Sequence, residues 1–267
     1  MPLAVCATPI GNLEDVTLRV LRELAEANLV LCEDTRRTKI LLERHEIDAK
    51  LLSYHEHNEA ERTAQVLPRL QAGERIALTS DAGLPGVSDP GARLIAAALG
   101  AGVPVTVLPG ASAVETALVA SGLLGERYQF VGYLPRAEAA RTALWEELAR
   151  WPFPVVAFES PRRLPASLRS LAAALPERQV AVCRELTKKF EEVARGSAVE
   201  VADRFSEAPR GEITLVIGSG EPERGEADDA REAVSELVQA GAGRRQAADV
   251  VARLTGRSRN ELYRSSL

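Results

Sequence analysis

The chain is short of several things, and each shortage removes a class of function. Cysteine is scarce: Cys6, Cys32 and Cys183 lie far apart, with no CxxC among them. Such a set makes neither a disulfide framework nor a zinc knuckle. Each thiol stands in or beside an apolar strand-like run, which reads as a small core residue in a reducing cytoplasm. Aromatics make up 4% of the 267 residues, so stacking platforms are sparse. Positive charge is not in excess, because 33 Lys plus Arg face 38 Asp plus Glu and leave −5. A basic tail or coat protein is excluded on that ground. The N-terminus, MPLAVCATPIGNLEDV, has no basic n-region and no long apolar stretch, so no signal peptide is expected. One stretch, Arg93 to Glu115, carries no charge between its ends. Gly100, Gly102, Pro104, Pro109 and Gly110 interrupt it, and a lipid-exposed helix with those breakers would leave backbone groups unpaired. It reads as helix, turn, buried strand and loop, and no membrane partner is expected.

What is present is an ordinary globular composition, 46% hydrophobic and 27% charged, which argues against disorder. At roughly 100–200 residues per domain, the length suggests two domains. Short apolar runs at 3–7, 29–32, 51–52, 76–79 and 105–108 alternate with amphipathic helical patterns near 36–46, 59–71 and 92–99. An earlier helical pattern holds Val16, Leu18, Val20, Leu21 and Leu24, with Asn12 or Asp15 as its expected cap. Continuous apolar strands separated by helices predict a parallel sheet covered on both faces. Residues 1–112 therefore read as an α/β domain. Residues 113–220 read as a second α/β or α+β domain. Its strands are expected at 130–132, 155–158, 180–183, 193–196 and 212–217, and its helices near 113–121, 138–150 and 164–174. Residues 221–267 read as a linker (221–226) and a small helical tail. Within it, 222–240 carries −4 and 241–267 carries +4.

Ligands of open α/β sheets bind beyond the carboxyl ends of the strands. The loops there are Thr8–Asp15, Cys32–Lys39, Thr79–Gly91 and Pro109–Ala113. The richest is TSDAGLPGVSDPG: its glycines permit close approach to a ligand, and Asp81 can accept from ribose hydroxyls or an ammonium group. Ser88 and Asp89, before Pro90, also suit a helix start. No GxxxxGK followed by Ser or Thr occurs, and no GxGxxG follows the first strand, so a P-loop and a standard dinucleotide site are excluded. Ser112 in PGASAV falls short of a GxSxG elbow because Val114 replaces the final Gly. His55 and His57 form a bare HxH, which reads as a solvated polar segment, and no metal is expected. Glu33 and Asp34, followed by Arg36, Arg37 and Lys39, pack both signs into seven residues. That segment reads either as a capped, solvated helix start or as a rim that clamps phosphate while a carboxylate acts on a hydroxyl.

Eight blocks in order, among them TPIGNLEDV, CEDTRRTKILL, SDAGLPGVSDPGARLI, VLPGASAVETAL, FVGYLP, FESPRRL, CRELTKKFEE and GEITLVI, resemble the ribosomal RNA small subunit methyltransferase I family, of the tetrapyrrole (corrin/porphyrin) methylase superfamily. The resemblance runs from about residue 3 to 218. It implies two α/β domains with S-adenosyl-L-methionine in the cleft between them, plus a small helical, helix-turn-helix-like C-terminal tail. It implies 2′-O-methylation of a cytidine ribose in the decoding region of 16S rRNA, free or in the 30S particle, by a homodimer. It places Asp81, Ala82, Gly83, Val87, Ser88, Ser112 and Ala113 against the cofactor from the first domain. From the second it places Phe158, Leu186, Gly211 and Ile213. TPIGN and SDAG stand where the tetrapyrrole enzymes carry GxGxG and Gly-Asp-Pro, which fits the RNA branch. Candidates for handling the hydroxyl proton or the alkoxide are Glu33, Asp34, Lys39 and Lys188. Candidates for gripping phosphate are Arg36, Arg37, Arg162, Arg163 and Lys189. The other readings are a tetrapyrrole C-methyltransferase and a non-catalytic RNA-binding assembly factor.

Overall fold

A computed structural model describes residues 2–220 and 226–265, with no side-chain description for 226–228 and 265. The expected linker lies, at 221–225, outside the described residues. The first sheet holds β1 (Leu3–Cys6), β2 (Leu29–Cys32), β3 (Leu51–Ser53), β4 (Ile76–Leu78) and β5 (Val105–Leu108). They are ordered β3-β2-β4-β1-β5, and every pairing is parallel. Side chains alternate across a strand, so each face takes its own set. Leu3, Val5, Leu29, Leu31, Ile76 and Leu78 pack against Val66 and Leu70 of α3 (Glu59–Gln71) and Leu94 of α4 (Ala92–Gly100). Ala4, Cys6, Val30 and Ala77 pack against Val20 and Leu24 of α1 (Leu18–Glu26) and Leu41 and Leu42 of α2 (Thr35–Arg44). Burial on both faces is why these strands read as unbroken apolar runs.

The expected cap of the first helix is corrected. Asn12 accepts from Glu14 N–H and caps a short 3-10 turn at Leu13–Asp15, while α1 is capped by Thr17, which accepts from Val20 N–H. Val16 between them is extended, so the chain makes two starts where one was expected.

The second sheet holds β6 (Gln129–Tyr133), β7 (Val155–Glu159), β8 (Gln179–Arg184), β9 (Glu192–Ser197) and β10 (Ile213–Ile217), ordered β6-β7-β10-β8-β9. Only β6 and β7 run parallel; the other three pairings are antiparallel. Val114, Ala117 and Leu118 of α5 (Ala113–Ser121) pack on Val156, Ala181, Cys183 and Val216 of this sheet. Next in the chain are α6 (Glu138–Ala149), α7 (Leu164–Ala174) and α8 (Ala198–Arg204). The last was not expected. Ser197 and Glu200 form a capping box at its start, each side chain accepting from the other residue's N–H.

The compact units do not follow the sheets. Met1–Ala143 with Phe153–Ser219 form one unit that contains both sheets. Leu144–Pro152 with Gly220–Leu267 form the other. Its helices are α9 (Glu226–Gln239), α10 (Arg244–Thr255) and α11 (Arg259–Ser265), and Ala230, Val234, Ala247, Ala248, Val251 and Leu262 make its core. Among the described residues no helix is long and apolar enough to cross a membrane.

Candidate functional site

Four loops leave the carboxyl ends of β1, β2, β4 and β5 on one side of the first sheet, and those after β1, β2 and β4 are tied together by hydrogen bonds. Thr8 and Gly83 exchange hydrogen bonds, N–H to carbonyl, at 2.8 and 3.0 Å. Thr8 Oγ1 donates to the Ser80 carbonyl at 3.0 Å. Asp34 N–H donates to Asp81 Oδ1 at 3.0 Å, and the Arg37 guanidinium is 3.3 Å from Asp81 Oδ2. Asp34 also caps α2 and holds Arg36 through both carboxylate oxygens. These bonds to Arg36 pull the Asp34 carboxyl down to about 2. The Glu33–Lys39 segment is thus a capped helix start, with Arg37 pinned to the neighbouring loop.

The loop after β4 turns by means of left-handed residues. Gly91 has φ 137° and serves as the N-cap of α4, and its N–H donates to Glu59 Oε1 at 2.8 Å. A Cβ there would lie 3.0 Å from Leu78 Cδ2 and 3.2 Å from the Gly86 nitrogen, so the position excludes a side chain. Ser88 is left-handed without being glycine, at φ 61°. Such strain persists where the surroundings over-determine it, commonly at ligand sites.

These loops and the facing part of the second sheet enclose a cavity of about 700 Å³. All eleven residues expected to hold the cofactor line it. Asp81, Ala82, Gly83, Val87, Ser88, Ser112 and Ala113 come from the first-sheet loops, and Phe158, Leu186, Gly211 and Ile213 from the second sheet. Glu33 and Arg37 line it as well. Asp34, Arg36, Lys39, Arg162, Arg163, Lys188 and Lys189 stand outside its lining. Lys39 pairs with Glu43 on the exposed face of α2. Lys188 lies 2.9 Å from both Glu185 and Glu212, and burial works against its charge while those two carboxylates raise its pKa overall. Arg163 donates to the Leu134 and Pro135 carbonyls and reaches the buried Glu159 at 3.2 Å. Its charge is committed to the fold of the second sheet.

The cavity also contains residues that the sequence reading did not assign to a site. Phe130 and Tyr133 meet the Phe158 ring edge to face, with centroids 5.0 and 5.6 Å apart. Glu115 accepts from Ser112 and from the Tyr128 hydroxyl. Asp89 is half-buried, and its carboxyl is pushed up to about 6 by burial first, then by the charges of Glu33 and Asp81. Burial and Asp81 raise Glu33 likewise. FVGYLP carried Phe130 and Tyr133 in plain sight, but their spacing of three does not fit a flat strand. A register shift between them brings both to Phe158. Among the described residues no group of three or more His, Cys, Asp or Glu side chains could hold a metal. Cys6 and Cys183 are pushed up to about 12 and Cys32 to about 11, mainly by burial, so none is a ready thiolate.

The family model of the tetrapyrrole (corrin/porphyrin) methylases matches residues 2–202, which hold most of this two-sheet unit. The methyltransferase CobJ superposes with a TM-score of 0.63 at 20% identity, covering 81% of this chain and 93% of that one. Uroporphyrin-III C-methyl transferase from Thermus thermophilus, complexed with S-adenyl homocysteine, superposes at 0.57 and 21% identity, covering 81% and 96%. At those identities the likeness is one of fold. Sequence relatives are nearer. The ribosomal RNA small subunit methyltransferase I of Micromonospora olivasterospora is 45% identical over 98% of this chain and 85% of its own length. That of Mesorhizobium japonicum is 44% identical over 99% and 91%. The chain belongs to the tetrapyrrole methylase family and, within it, to the ribosomal RNA small subunit methyltransferase I group.

Proposed function

We propose that the protein uses S-adenosyl-L-methionine to methylate the ribose 2′-hydroxyl of a cytidine in the decoding region of 16S rRNA, as a cytoplasmic homodimer. The observation that carries this reading is the cavity, whose lining joins carboxylates to an apolar wall in a chain close to enzymes named for small-subunit rRNA. Its fit to the cofactor rests on three features. About 700 Å³ suits a nucleoside joined to an amino acid. Phe158, Leu186 and Ile213 offer an apolar wall for a heteroaromatic ring, and Asp81 and Glu33 offer acceptors for ribose hydroxyls or an ammonium group. Gly83 lines the cavity at φ 76°, a left-handed turn that favours glycine and brings bare backbone to the lining.

When bound, the cofactor supplies a methyl group already activated on a positively charged sulfur. The protein's work is to align a hydroxyl with it, which is proximity and orientation. Arg37, tethered to Asp81, stands where the rim meets the cavity, while Arg36, Arg162 and Lys189 extend positive charge outside the lining for phosphates. In this reading the residues from the two sheets that line the cavity would share the cofactor. The helical tail adds exposed Arg244 and Arg245 at the start of α10.

Labelled methyl from S-adenosyl-L-methionine should enter 30S particles or 16S rRNA and not uroporphyrinogen. A mass-spectrometric map should find a single 2′-O-methylcytidine in the decoding region that disappears in a deletion strain. Label in the macrocycle would favour a tetrapyrrole C-methyltransferase. Absence of cofactor binding by calorimetry would favour a non-catalytic RNA-binding role.

A further inference from the structure

Six carboxylates line the cavity: Glu33, Asp81, Asp89, Glu115, Glu159 and Glu212. Four are occupied. Asp81 takes the Asp34 N–H and Arg37. Glu115 takes the hydroxyls of Ser112 and Tyr128. Glu159 takes Ser160 N–H, the Ser167 hydroxyl and Arg163. Glu212 holds Lys188 at 2.9 Å. Glu33 has a main-chain hydrogen bond from Asp81, with Arg37 and His55 nearby to favour its charged form. Asp89 lines the cavity near Glu33 of the loop after β2, Asp81 of its own loop and Tyr133 of β6, and the nearby Ser80 hydroxyl donates to the Ala82 and Gly83 carbonyls. No cation pairs with it among the described residues. The left-handed Ser88 immediately before it fixes the bend that brings it into the lining.

We infer that Asp89 is the proton acceptor for the methyl transfer proposed above. Asp89 can hold this role only if the protein methylates ribose. The 2′-hydroxyl oxygen forms its bond to the methyl carbon, the carbon–sulfur bond breaks, and its electron pair stays on sulfur. The hydroxyl proton passes to an Asp89 oxygen and from there to water. A carboxylate without a cation is the better base, because nothing already stabilises its charge. Its neighbours Glu33 and Asp81 strengthen it further, since two negative charges beside it favour the protonated product.

The test uses the full chain with 30S particles and the variant Asp89→Asn, which keeps size and shape. Its turnover should fall by ~100-fold or more, the scale of a lost general base. Its cofactor affinity by calorimetry should stay within about threefold of wild type on the same scale of effects. Wild-type kcat/KM for the methyl donor should fall as pH drops through about 6. A carbon-13 titration of the unliganded protein should show one aspartate carboxyl with its midpoint there, absent in Asp89→Asn. Turnover near wild type, an Asp89 midpoint at the ordinary value near 4, or a matching loss of cofactor affinity would each overturn the assignment. A wild type that transfers no methyl to ribose would sink the functional reading and this role with it. A wild type that does so while Asp89→Asn keeps pace would sink the role alone.

Discussion

Arg37 reaches across from α2 to Asp81, 3.3 Å away, and so ties the one basic side chain in the cavity lining, among the described residues, to the carboxylate at the end of β4. The pair joins two loops that the sequence separates by more than forty residues. A change at Asp81 should therefore be felt on both sides. Asp81→Ala removes the acceptor of the Asp34 N–H and the partner of Arg37. It should weaken cofactor binding by ~10-fold or more, the cost of roughly one charge-assisted hydrogen bond, read by calorimetry.

Arg36 is different, although it is the neighbouring residue. Its guanidinium is 89% exposed and held only by Asp34. Arg36→Ala should leave cofactor affinity intact and reduce methylation of 30S particles. Undiminished methylation would remove Arg36 from the RNA rim. The depressed Asp34 carboxyl contributes stability above its unfolded value near 4, lost as pH falls toward about 2. Wild type should consequently melt above Arg36→Ala by a steady margin at pH above 5, and the two should converge as pH falls toward about 2.

Asp89 gives the opposite sign. Its raised pKa means that the folded protein holds a proton the unfolded chain has already lost between about pH 4 and 6. Folding stability from this group declines as pH rises through that window. Asp89→Asn removes the penalty and should be more stable than wild type at pH 8 by about 1 kcal/mol, after allowance for solvent screening. Urea unfolding at pH 8 and pH 4 checks it, because the difference should vanish at the lower pH.

Arg163 and Arg162 are adjacent and should separate cleanly. Arg163→Ala leaves the buried Glu159 without its cation and should cost ~3 kcal/mol in urea unfolding. Arg162 is exposed, so Arg162→Ala should leave stability unchanged and weaken RNA binding.

The tail makes a salt-dependent prediction. Arg244 and Arg245 are exposed at the start of α10. Replacing both by Gln should lower affinity for 16S rRNA uniformly and reduce the salt slope of binding by about 2. Cofactor binding should not change, since the whole cavity lining lies outside the compact unit that holds these arginines.

Strands were the most legible part of this chain. The ten described strands were read with ends within one residue of those observed, and the clearest, β1, β2, β4 and β10, are apolar runs buried throughout. The parallel arrangement of the first sheet followed from the same runs. The antiparallel pairing of β7, β10, β8 and β9 did not, since an apolar run carries no direction. The helix at Ala198–Arg204 was missed although Ser197 and Glu200 spell a capping box. Seven residues show too little periodicity to announce themselves. At the site, the loops could be located from strand ends and glycines, but the aim of individual side chains could not. Asp89 enters the cavity through a left-handed Ser88, and Tyr133 reaches Phe158 through a register shift. Neither distortion has a residue signature. Arg163 and Lys188 looked like free charge in the sequence because their partners, Glu159, Glu185 and Glu212, become neighbours only on folding.

The strand order of the second sheet has a consequence for how the protein is made. β10, the last strand in the chain, occupies the centre of that sheet, between β7 and β8. A nascent chain that has reached residue 205 carries two strand pairs with an open seam, and the cavity wall formed by 211–214 has not yet been synthesised. The first sheet has no such dependence, because its strands are complete by residue 108. Early synthesis can therefore supply every strand of one sheet. The cavity wall at 211–214 arrives only with the late central strand, so the ligand site is the last part of the two-sheet unit to be completed.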